Sequence, residues 1–337
     1  LVAHVGAHPH EVALVPDQVL QLEHLVEPAE LGVRLTELAP HQVSILEAPK
    51  ANAFVRHKAA FYQAGNPLLS SGVPLTAPDI AVLAAAQCAT VSVYRRPRIA
   101  ILSTGDELVS IDQPLNPGQI VDSNQYALAA LVTAAGAEPI CLGIVPDHPV
   151  ALKEKMTHAI ATADMVLSSG GVSVGDYDYV DQILAELGAN IHIRAVAVKP
   201  GKPLTVATIQ SSTPNVQNVV YFGLPGNPVS ALVSFWRFVQ PAIRKRSGLK
   251  TGWSPVFVDG ITRHELRSGG KRETYLWGQV KIIDSQLEFY LAGGSHSSGN
   301  LINLAQTNAL AIAPIGTTHI AAGSTVRIML VGTPLLG

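Results

Sequence analysis

Strand-like and helix-like apolar runs alternate from residue 98 to residue 246, and this alternation restricts the fold more than any other feature. Buried strands are predicted at 98–103, 139–145, 164–167, 191–198, 204–208 and 219–222. Helices are predicted at 123–135, 149–162, 180–187 and 229–246, the last one kinked or interrupted at Pro241. Repeated strand–helix–strand units favour an α/β fold, with a mostly parallel sheet and helices on both faces.

The segments that follow these strands are rich in glycine, acids, lysines and tight turns. Ligands of such sheets bind beyond the carboxyl ends of the strands, so these segments are expected to share one edge. Lysines there are natural partners of phosphates and oxyanions. Each segment alone is also typical of an ordinary turn or helix lead-in. Their members are Thr104, Gly105, Asp106, Glu107, Lys199, Lys202, Pro225, Gly226, Asn227 and Pro228.

A glycine-rich turn, residues 168–179, joins the strand at 164–167 to the helix at 180–187. Its glycines, Gly170, Gly171 and Gly175, permit positive φ angles and close approach of a ligand, and the helix N-terminus favours an anion. Asp176 and Asp178 at the same turn suit a bridging cation such as Mg²⁺. The alternative is that Asp178 is an ordinary N-cap.

The amino-acid composition and net charge favour a globular protein and argue against several classes of binding protein. With 337 residues, 47% of them hydrophobic and 14% charged, the chain is globular and long enough for two or three domains. A net charge of −2 argues against broad binding to nucleic acid or membrane surfaces. No apolar run reaches about 18 residues and no signal peptide is visible, so a cytoplasmic protein is expected. Cys88 and Cys141 are predicted to be buried small hydrophobes.

Four regions are predicted. Residues 1–42 are unassigned, and 43–76 form a partial β-rich domain with strands at 43–47 and 54–57. Residues 77–248 form the α/β domain, in which Thr76 caps the first helix. Residues 249–337 form a small β-barrel or sandwich, with a polar loop at 295–300 inside it.

Five motifs resemble the molybdopterin molybdenumtransferase family, known as MoeA in bacteria and as the E domain of gephyrin in animals. They lie in the family's order at 96–109, 117–124, 168–179, 199–203 and 224–231. The resemblance covers roughly residues 43–334 and is strongest to the cyanobacterial branch. It implies a MogA-like three-layer doubly wound sheet, with a β-rich N-terminal segment and a small C-terminal β-barrel.

The resemblance also implies a reaction. Molybdate is inserted into adenylylated molybdopterin and AMP is released, with Mg²⁺ as the usual cation and an elongated homodimer whose site lies at a cleft between subunits. Glu107, Asp176 and Asp178 are then expected to hold the metal, and Glu107, Asp178, Lys199 and Lys202 to be catalytic. Substrate-binding residues are expected to be Thr104, Gly105, Asp106, Ser169, Gly170, Gly171, Ser173, Gly175, Pro225, Gly226, Asn227, Pro228, Ser297 and Ser298.

Two departures from the family pattern stand out. Ala195 occupies a position that is usually basic, so either the neighbouring Arg194 substitutes for it or Arg194 points to the other face of the strand. The family's N-terminal motif, Asn-Ser-Ala-Met-Asp-Gly-Tyr-Ala, is not found in residues 1–42. Because the chain also begins at Leu1, a truncated or frame-shifted front end is expected.

Two other functions remain open at this point. One is a MogA-type adenylyltransferase, which activates molybdopterin with ATP, although that family lacks the C-terminal barrel. The other is a catalytically impaired molybdopterin-binding fragment or scaffold, which the missing N-terminal acid favours and the carboxylates and lysines of the sheet edge oppose.

Overall fold

The computed structural model describes residues 2–3, 10–13, 36–39, 42–45, 50–52, 55–171, 179–210 and 218–336. The chain divides into two compact units. The larger unit comprises residues 1–10, 71–74 and 93–337, and the smaller comprises residues 11–70 and 75–92. The predicted domain boundaries at residues 43, 77 and 249 stay predictions.

The described helices and strands are numbered in chain order. The strands are β1 (Val2–Ala3), β2 (His10–Ala13), β3 (Thr36–Ala39), β4 (Gln42–Ile45), β5 (Thr90–Tyr94), β6 (Arg98–Thr104), β7 (Leu108–Val109), β8 (Ile120–Val121), β9 (Glu138–Val145), β10 (Met165–Ser169), β11 (Asn190–Ala195), β12 (Val198–Lys199), β13 (Pro203–Ile209), β14 (Val219–Leu224), β15 (Val256–Thr262), β16 (Leu266–Arg267), β17 (Glu273–Ile283), β18 (Gln286–Leu291), β19 (Ala309–Ala313), β20 (His319–Ile320), β21 (Thr325–Leu330) and β22 (Leu335–Leu336). The helices are α1 (Ala77–Ala85), α2 (Asn124–Ala134), α3 (Pro149–Thr162), α4 (Tyr179–Glu186), α5 (Pro228–Ser234) and α6 (Gln240–Arg246), with a π-helical turn at Phe235–Val239 and a 3₁₀ turn at Ile302–Leu304.

The larger unit contains the predicted sheet, with strand order β11-β13-β14-β10-β6-β9. The four strands from β14 to β9 are mutually parallel, while at one edge β13 pairs antiparallel with β14, and β11 pairs antiparallel with β13. The α/β prediction is therefore confirmed. One strand was wrong: residues 191–198 are not continuous, because the chain leaves the sheet after β11 and β12 pairs with β17 instead.

Alternating side chains of the central strands explain the layers on the two faces of the sheet. Ile99, Ile101 and Met165 pack on one face with α2, α5 and α6, where Leu128 and Val132 of α2 are fully buried. The neighbouring residues on the same strands pack on the opposite face with α3 and α4; they include Ala100, Leu102 and Val166. Because both faces are covered, the strands read as continuous apolar runs. This arrangement confirms the three-layer prediction.

The long helix predicted at 229–246 is interrupted, as Pro241 indicates. Pro241 lies in the first turn of α6, where its missing N–H costs little. The π-helical turn at Phe235–Val239 directly precedes it and absorbs the register change between α5 and α6. Both helical segments still bury apolar residues in the same core, including Val229, Phe235 and Ile243.

The C-terminal strands close into a five-stranded barrel in the order β17-β18-β15-β21-β19, with β19 pairing back to β17. Alternation along β17 gives it two buried faces. Leu276 and Val280 fill the barrel, while Tyr275 and Trp277 join the core that contains α2 and α5. The barrel therefore packs directly against one face of the sheet's helical layer within the larger unit.

The smaller unit contains the predicted helix α1. Thr76 is its N-cap, as expected, and the backbone N–H of Thr76 donates to Asp79 Oδ2 at 2.8 Å. Residues 43–45 of the strand predicted at 43–47 lie in β4, which pairs with β3, and residues 46–47 lie outside the described part of the chain. Residues 55–57 are not a strand, so that part of the 54–57 prediction was wrong. A short β-rich pattern alone does not form a strand, because a strand also needs a partner with which to pair.

The two cysteines are more accessible to solvent than predicted. Cys141 is exposed and Cys88 is half-buried, so the prediction that both are buried was wrong. Cys141 lies on β9, the edge strand of the sheet, which explains its access to solvent.

Among the described residues, no helix combines the length and the apolar character needed to cross a membrane.

An ion pair between the buried Asp164 and the exposed Arg95, near the amino ends of the strands, yields a stability prediction. Asp164 is 4% exposed and receives two hydrogen bonds from the Arg95 guanidinium, both at 2.6 Å, and one from the Arg98 N–H at 2.7 Å. Burial alone would raise the pKa of Asp164, but these donors hold it below its usual value. Replacing Asp164 by asparagine should lower the free energy of unfolding at pH 7 by about 1–3 kcal/mol.

The sign of the pH dependence follows from the lowered pKa. The stabilisation is present above the unfolded-state pKa of Asp164 and is lost as the pH falls through the folded-state pKa. Urea unfolding of the wild type and Asp164→Asn should therefore differ at pH 7 and converge in acid. Glu186→Gln, which removes the exposed pair with Lys153, is the control and should change little. A difference that is the same at both pH values would contradict this account.

Candidate functional site

The carboxyl ends of β6, β10 and β14 lie side by side, as expected for strands of one parallel sheet. Ser169 pairs with Ser103 on one side and with Leu224 on the other. Gly170 follows with a φ of +90°, and its N–H donates to the Leu224 carbonyl at 3.2 Å. The three predicted ligand segments at 103–107, 168–171 and 224–228 thus meet at one edge.

Gly170 and Gly171 are required by close contacts as well as by their φ angles. A Cβ atom on Gly170 would lie 2.3 Å from the Thr104 carbonyl oxygen, and one on Gly171 would lie 2.8 Å from Thr104 Oγ1. The Thr104 hydroxyl is buried beneath this turn and has no hydrogen-bond partner within the described part of the chain. Thr104 therefore supports the glycine turn from below.

Three carboxylates surround the end of β6. Glu107 is exposed and lies close to Gly105, since a Cβ there would be 2.7 Å from Glu107 Oε2. Asp106 Oδ1 accepts a hydrogen bond from the Asp147 N–H at 3.1 Å. Burial, together with the negative charges of Asp106 and Glu107, raises the pKa of Asp147. Asp147 was missed in the sequence, although it follows β9 as the other segments follow their strands.

A cavity of about 440 Å³ lies in the larger unit, between the lysine-containing segment and the barrel. Lys199 and Lys202 line it, and both residues are exposed. Asn227, at the end of the turn after β14, faces the same cavity. The described lining residues include no Asp or Glu, so this surface favours anions.

Two arginines from the barrel also line the cavity, and the sequence did not single them out. Arg272 lies just before β17, and its Nη1 donates to the Val198 carbonyl at 3.1 Å beside Lys199. Arg267 lies on β16 and is paired with the exposed Glu265. Arg272 reaches the lysines because β12 pairs with β17, with Lys199 opposite Thr274. The basic pair Lys271–Arg272 was the available signal.

The loop at 292–300 brings Ser297 and Ser298 to the cavity, as expected for the polar loop of the barrel. The Ser298 carbonyl accepts from the Val229 N–H at 3.2 Å, which joins the loop to α5. His296 stacks on Trp277 with ring centroids 4.3 Å apart, and its Nε2 donates to the Ala292 carbonyl at 2.9 Å. Burial lowers the pKa of His296, which favours the neutral imidazole.

The structure thus places the expected residues in two adjoining groups. The strand-end group contains Thr104, Gly105, Asp106, Glu107, Ser169, Gly170, Gly171, Pro225 and Gly226, and the cavity group contains Lys199, Lys202, Asn227, Ser297 and Ser298. Pro228 begins α5 and is not among the lining residues. Four expected residues lie outside the described part of the chain: Ser173, Gly175, Asp176 and Asp178.

Arg194 does not substitute for the basic residue that Ala195 replaces. Its guanidinium pairs with Asp181 on α4, and it is not among the residues that line the cavity. This is the arrangement expected if neighbouring residues on a strand point to opposite faces. Arg267 and Arg272 instead supply guanidinium groups at the cavity.

Comparisons with known proteins agree with this geometry. Residues 100–245 match the family described as "Probable molybdopterin binding domain", and residues 259–331 match the "MoeA C-terminal region (domain IV)". A molybdopterin molybdenumtransferase from a Nostoc species is 64% identical over 289 residues, which are 86% of this chain and 65% of that relative. One from Haemophilus influenzae is 33% identical over 289 residues, covering 85% of this chain and 69% of that relative.

Solved structures give the same fold. A molybdopterin biosynthesis MoeA protein from Pyrococcus horikoshii aligns with a TM-score of 0.70 and 26% identity, covering 88% of this chain and 70% of that one. The chain spans just under two thirds of the length of its Nostoc relative. With the strand-end glycines, the basic cavity and the closed barrel in place, these matches show that the chain belongs to the molybdopterin molybdenumtransferase, or MoeA, family.

Proposed function

We propose that this protein inserts molybdate into adenylylated molybdopterin and releases AMP. The observation that carries the proposal is the basic cavity beside the strand-end glycines, lined by Lys199, Lys202, Arg267 and Arg272 and by no acid among the described residues. Molybdate is a dianion, and the adenylylated substrate carries a pyrophosphate. The relatives from Nostoc and Haemophilus bear the name of this activity.

The described residues favour catalysis by positioning and charge compensation. Fixed cations and backbone N–H groups stabilise charge as it develops on the phosphate and molybdate oxygens. Because both reactants are held in one cavity, the reaction gains the advantage of proximity. No protein nucleophile is required, and the mechanism assigns none. Ser297 and Ser298 are suited to donate hydrogen bonds to an oxyanion.

A Mg²⁺ requirement is part of the proposal. Glu107, with Asp106 and Asp147 beside it, offers carboxylate oxygens, which are the ligands that Mg²⁺ prefers. Within the described part of the chain no preformed group of three such ligands is found, and Asp176 and Asp178 lie outside it. Mg²⁺ sites of this kind are usually completed by substrate phosphates, whose negative charge the cation compensates when bound.

The assembly and the location are also proposals. A homodimer with the site at a cleft between subunits rests on the family resemblance, and sedimentation of the purified chain would test it. A cytoplasmic location rests on the sequence. The presence of the barrel makes a MogA-type adenylyltransferase a less suitable alternative, since that family lacks this domain.

The decisive experiment is AMP release from adenylylated molybdopterin, measured with and without molybdate and Mg²⁺. We expect release that depends on molybdate and that a chelator of divalent cations abolishes. Substrate binding without AMP release would indicate an impaired fragment that retains the ligand site. If the substrate neither binds nor releases AMP, the proposed function is wrong for this chain.

A further inference from the structure

The buried amide of Asn124 joins two of the segments that form the site. Asn124 begins α2 and is 7% exposed. Its Nδ2 donates to Ser169 Oγ at 2.7 Å, at the end of β10, and to the Gly226 carbonyl at 2.8 Å, in the turn after β14. Because a carbonyl oxygen only accepts hydrogen bonds, the contact with Gly226 fixes which end of the amide faces the turn.

The turn that Asn124 holds continues directly to the cavity. Gly226 packs against Gly170, since a Cβ on Gly226 would lie 3.6 Å from the Gly170 Cα. The next residue, Asn227, lines the cavity with Lys199 and Lys202. Its carbonyl accepts from the Ala231 N–H at 3.0 Å in the first turn of α5. The placement of the Asn227 side chain therefore depends on where Gly226 is held.

The hydrogen bonds of the Asn124 side chain do not serve its own helix. The α2 cap makes no side-chain hydrogen bond through Ser123, and the apolar packing of the helix comes from Leu128 and Val132. Both hydrogen bonds from Asn124 Nδ2 instead leave the helix and reach the ligand-facing edge of the sheet. The two hydrogen bonds therefore connect the start of α2 to the end of β10 and to the turn after β14.

We propose that Asn124 is a positioning residue for the reaction: it holds the turn at 224–228 so that Asn227 faces the basic cavity. This inference rests on the proposed function for its activity readout and on anion binding in the cavity for its binding readout. The geometry predicts energetic coupling between Asn124 and Asn227, whose side chains act through Gly226. Residues that act through one shared element give non-additive effects.

The test is a double-mutant cycle of Asn124→Ala and Asn227→Ala. The readouts are the dissociation constant of inorganic pyrophosphate, by calorimetry, and kcat and KM for AMP release. We expect each single variant to weaken pyrophosphate binding and to lower kcat/KM about tenfold, and the double variant to lose about tenfold rather than a hundredfold. Val132→Ala, on the same helix but remote from the turn, should lower Tm and combine additively with Asn227→Ala.

All variants are measured well below their melting temperatures, and Asn124→Ser replaces Asn124→Ala if the latter does not fold. A hundredfold loss in the double variant, or wild-type affinity and kcat/KM in Asn124→Ala, would overturn the inference. Failure of the wild type to bind pyrophosphate would overturn it as well. If pyrophosphate binding shows the coupling but no AMP is released, the proposed function is wrong while the positioning role of Asn124 stands.

Discussion

Replacing Lys199 or Lys202 by alanine should lower kcat/KM for AMP release by about 10²–10³-fold. Each lysine supplies a cation to a cavity whose described lining contains no acid, and the proposed substrates are anionic. Loss of one preorganised donor to a developing oxyanion typically has this magnitude. Both residues are exposed, so melting temperatures should stay close to that of the wild type. The measurement is AMP release over a range of substrate and molybdate concentrations.

Arg194→Ala is the matched control for the lysine variants. Arg194 is also basic and exposed and lies only five residues before Lys199, but its side chain pairs with Asp181 on α4. Its replacement should leave kcat/KM unchanged.

Raising the ionic strength should lower kcat/KM of the wild type more than that of Lys202→Ala, because salt screens an exposed cation. Equal losses in Arg194→Ala and the lysine variants would refute the role given to the cavity.

The fold of the α/β part was largely predictable because its signals are local. Apolar runs, helix caps and glycines placed most strands and helices within two or three residues of their observed bounds. The antiparallel pairing of β11 and β13 was not predictable in the same way, because a buried strand has the same pattern in either orientation. The break between β11 and β12 depends on pairing with the distant β17.

The site residues that directly follow strands of the parallel sheet were predictable, because ligands bind beyond the carboxyl ends of such strands. That rule correctly brought the segments containing Thr104, Gly170 and Gly226 together. Applied to β9 as well, it would have identified Asp147. The rule could not predict Arg267 and Arg272, since their place in the cavity results from packing of the barrel, which involves residues far apart in sequence.

The second large effect is expected at Gly170. Gly170→Ala should lower the free energy of unfolding by about 2–5 kcal/mol, the sum of a positive-φ cost and an overpacking cost. The φ angle of +90° disfavours any side chain, and the new Cβ would lie 2.3 Å from the Thr104 carbonyl oxygen, which belongs to the backbone of a buried strand. Urea unfolding measures the loss. AMP release by the folded fraction should also fall at least tenfold, since relieving the contact requires the glycine turn to move.

Gly136→Ala separates the two costs. Gly136 has a φ of +87°, almost that of Gly170, but no described atom lies within 4 Å of the position its Cβ would take. It follows α2, away from the strand ends, and its replacement should cost about 1–2 kcal/mol with unchanged kcat/KM. The difference between the two variants therefore measures the close approach of the glycine turn to Thr104. If the two substitutions cost the same, then this approach does not constrain the turn, and the glycine is required there for its backbone angle alone.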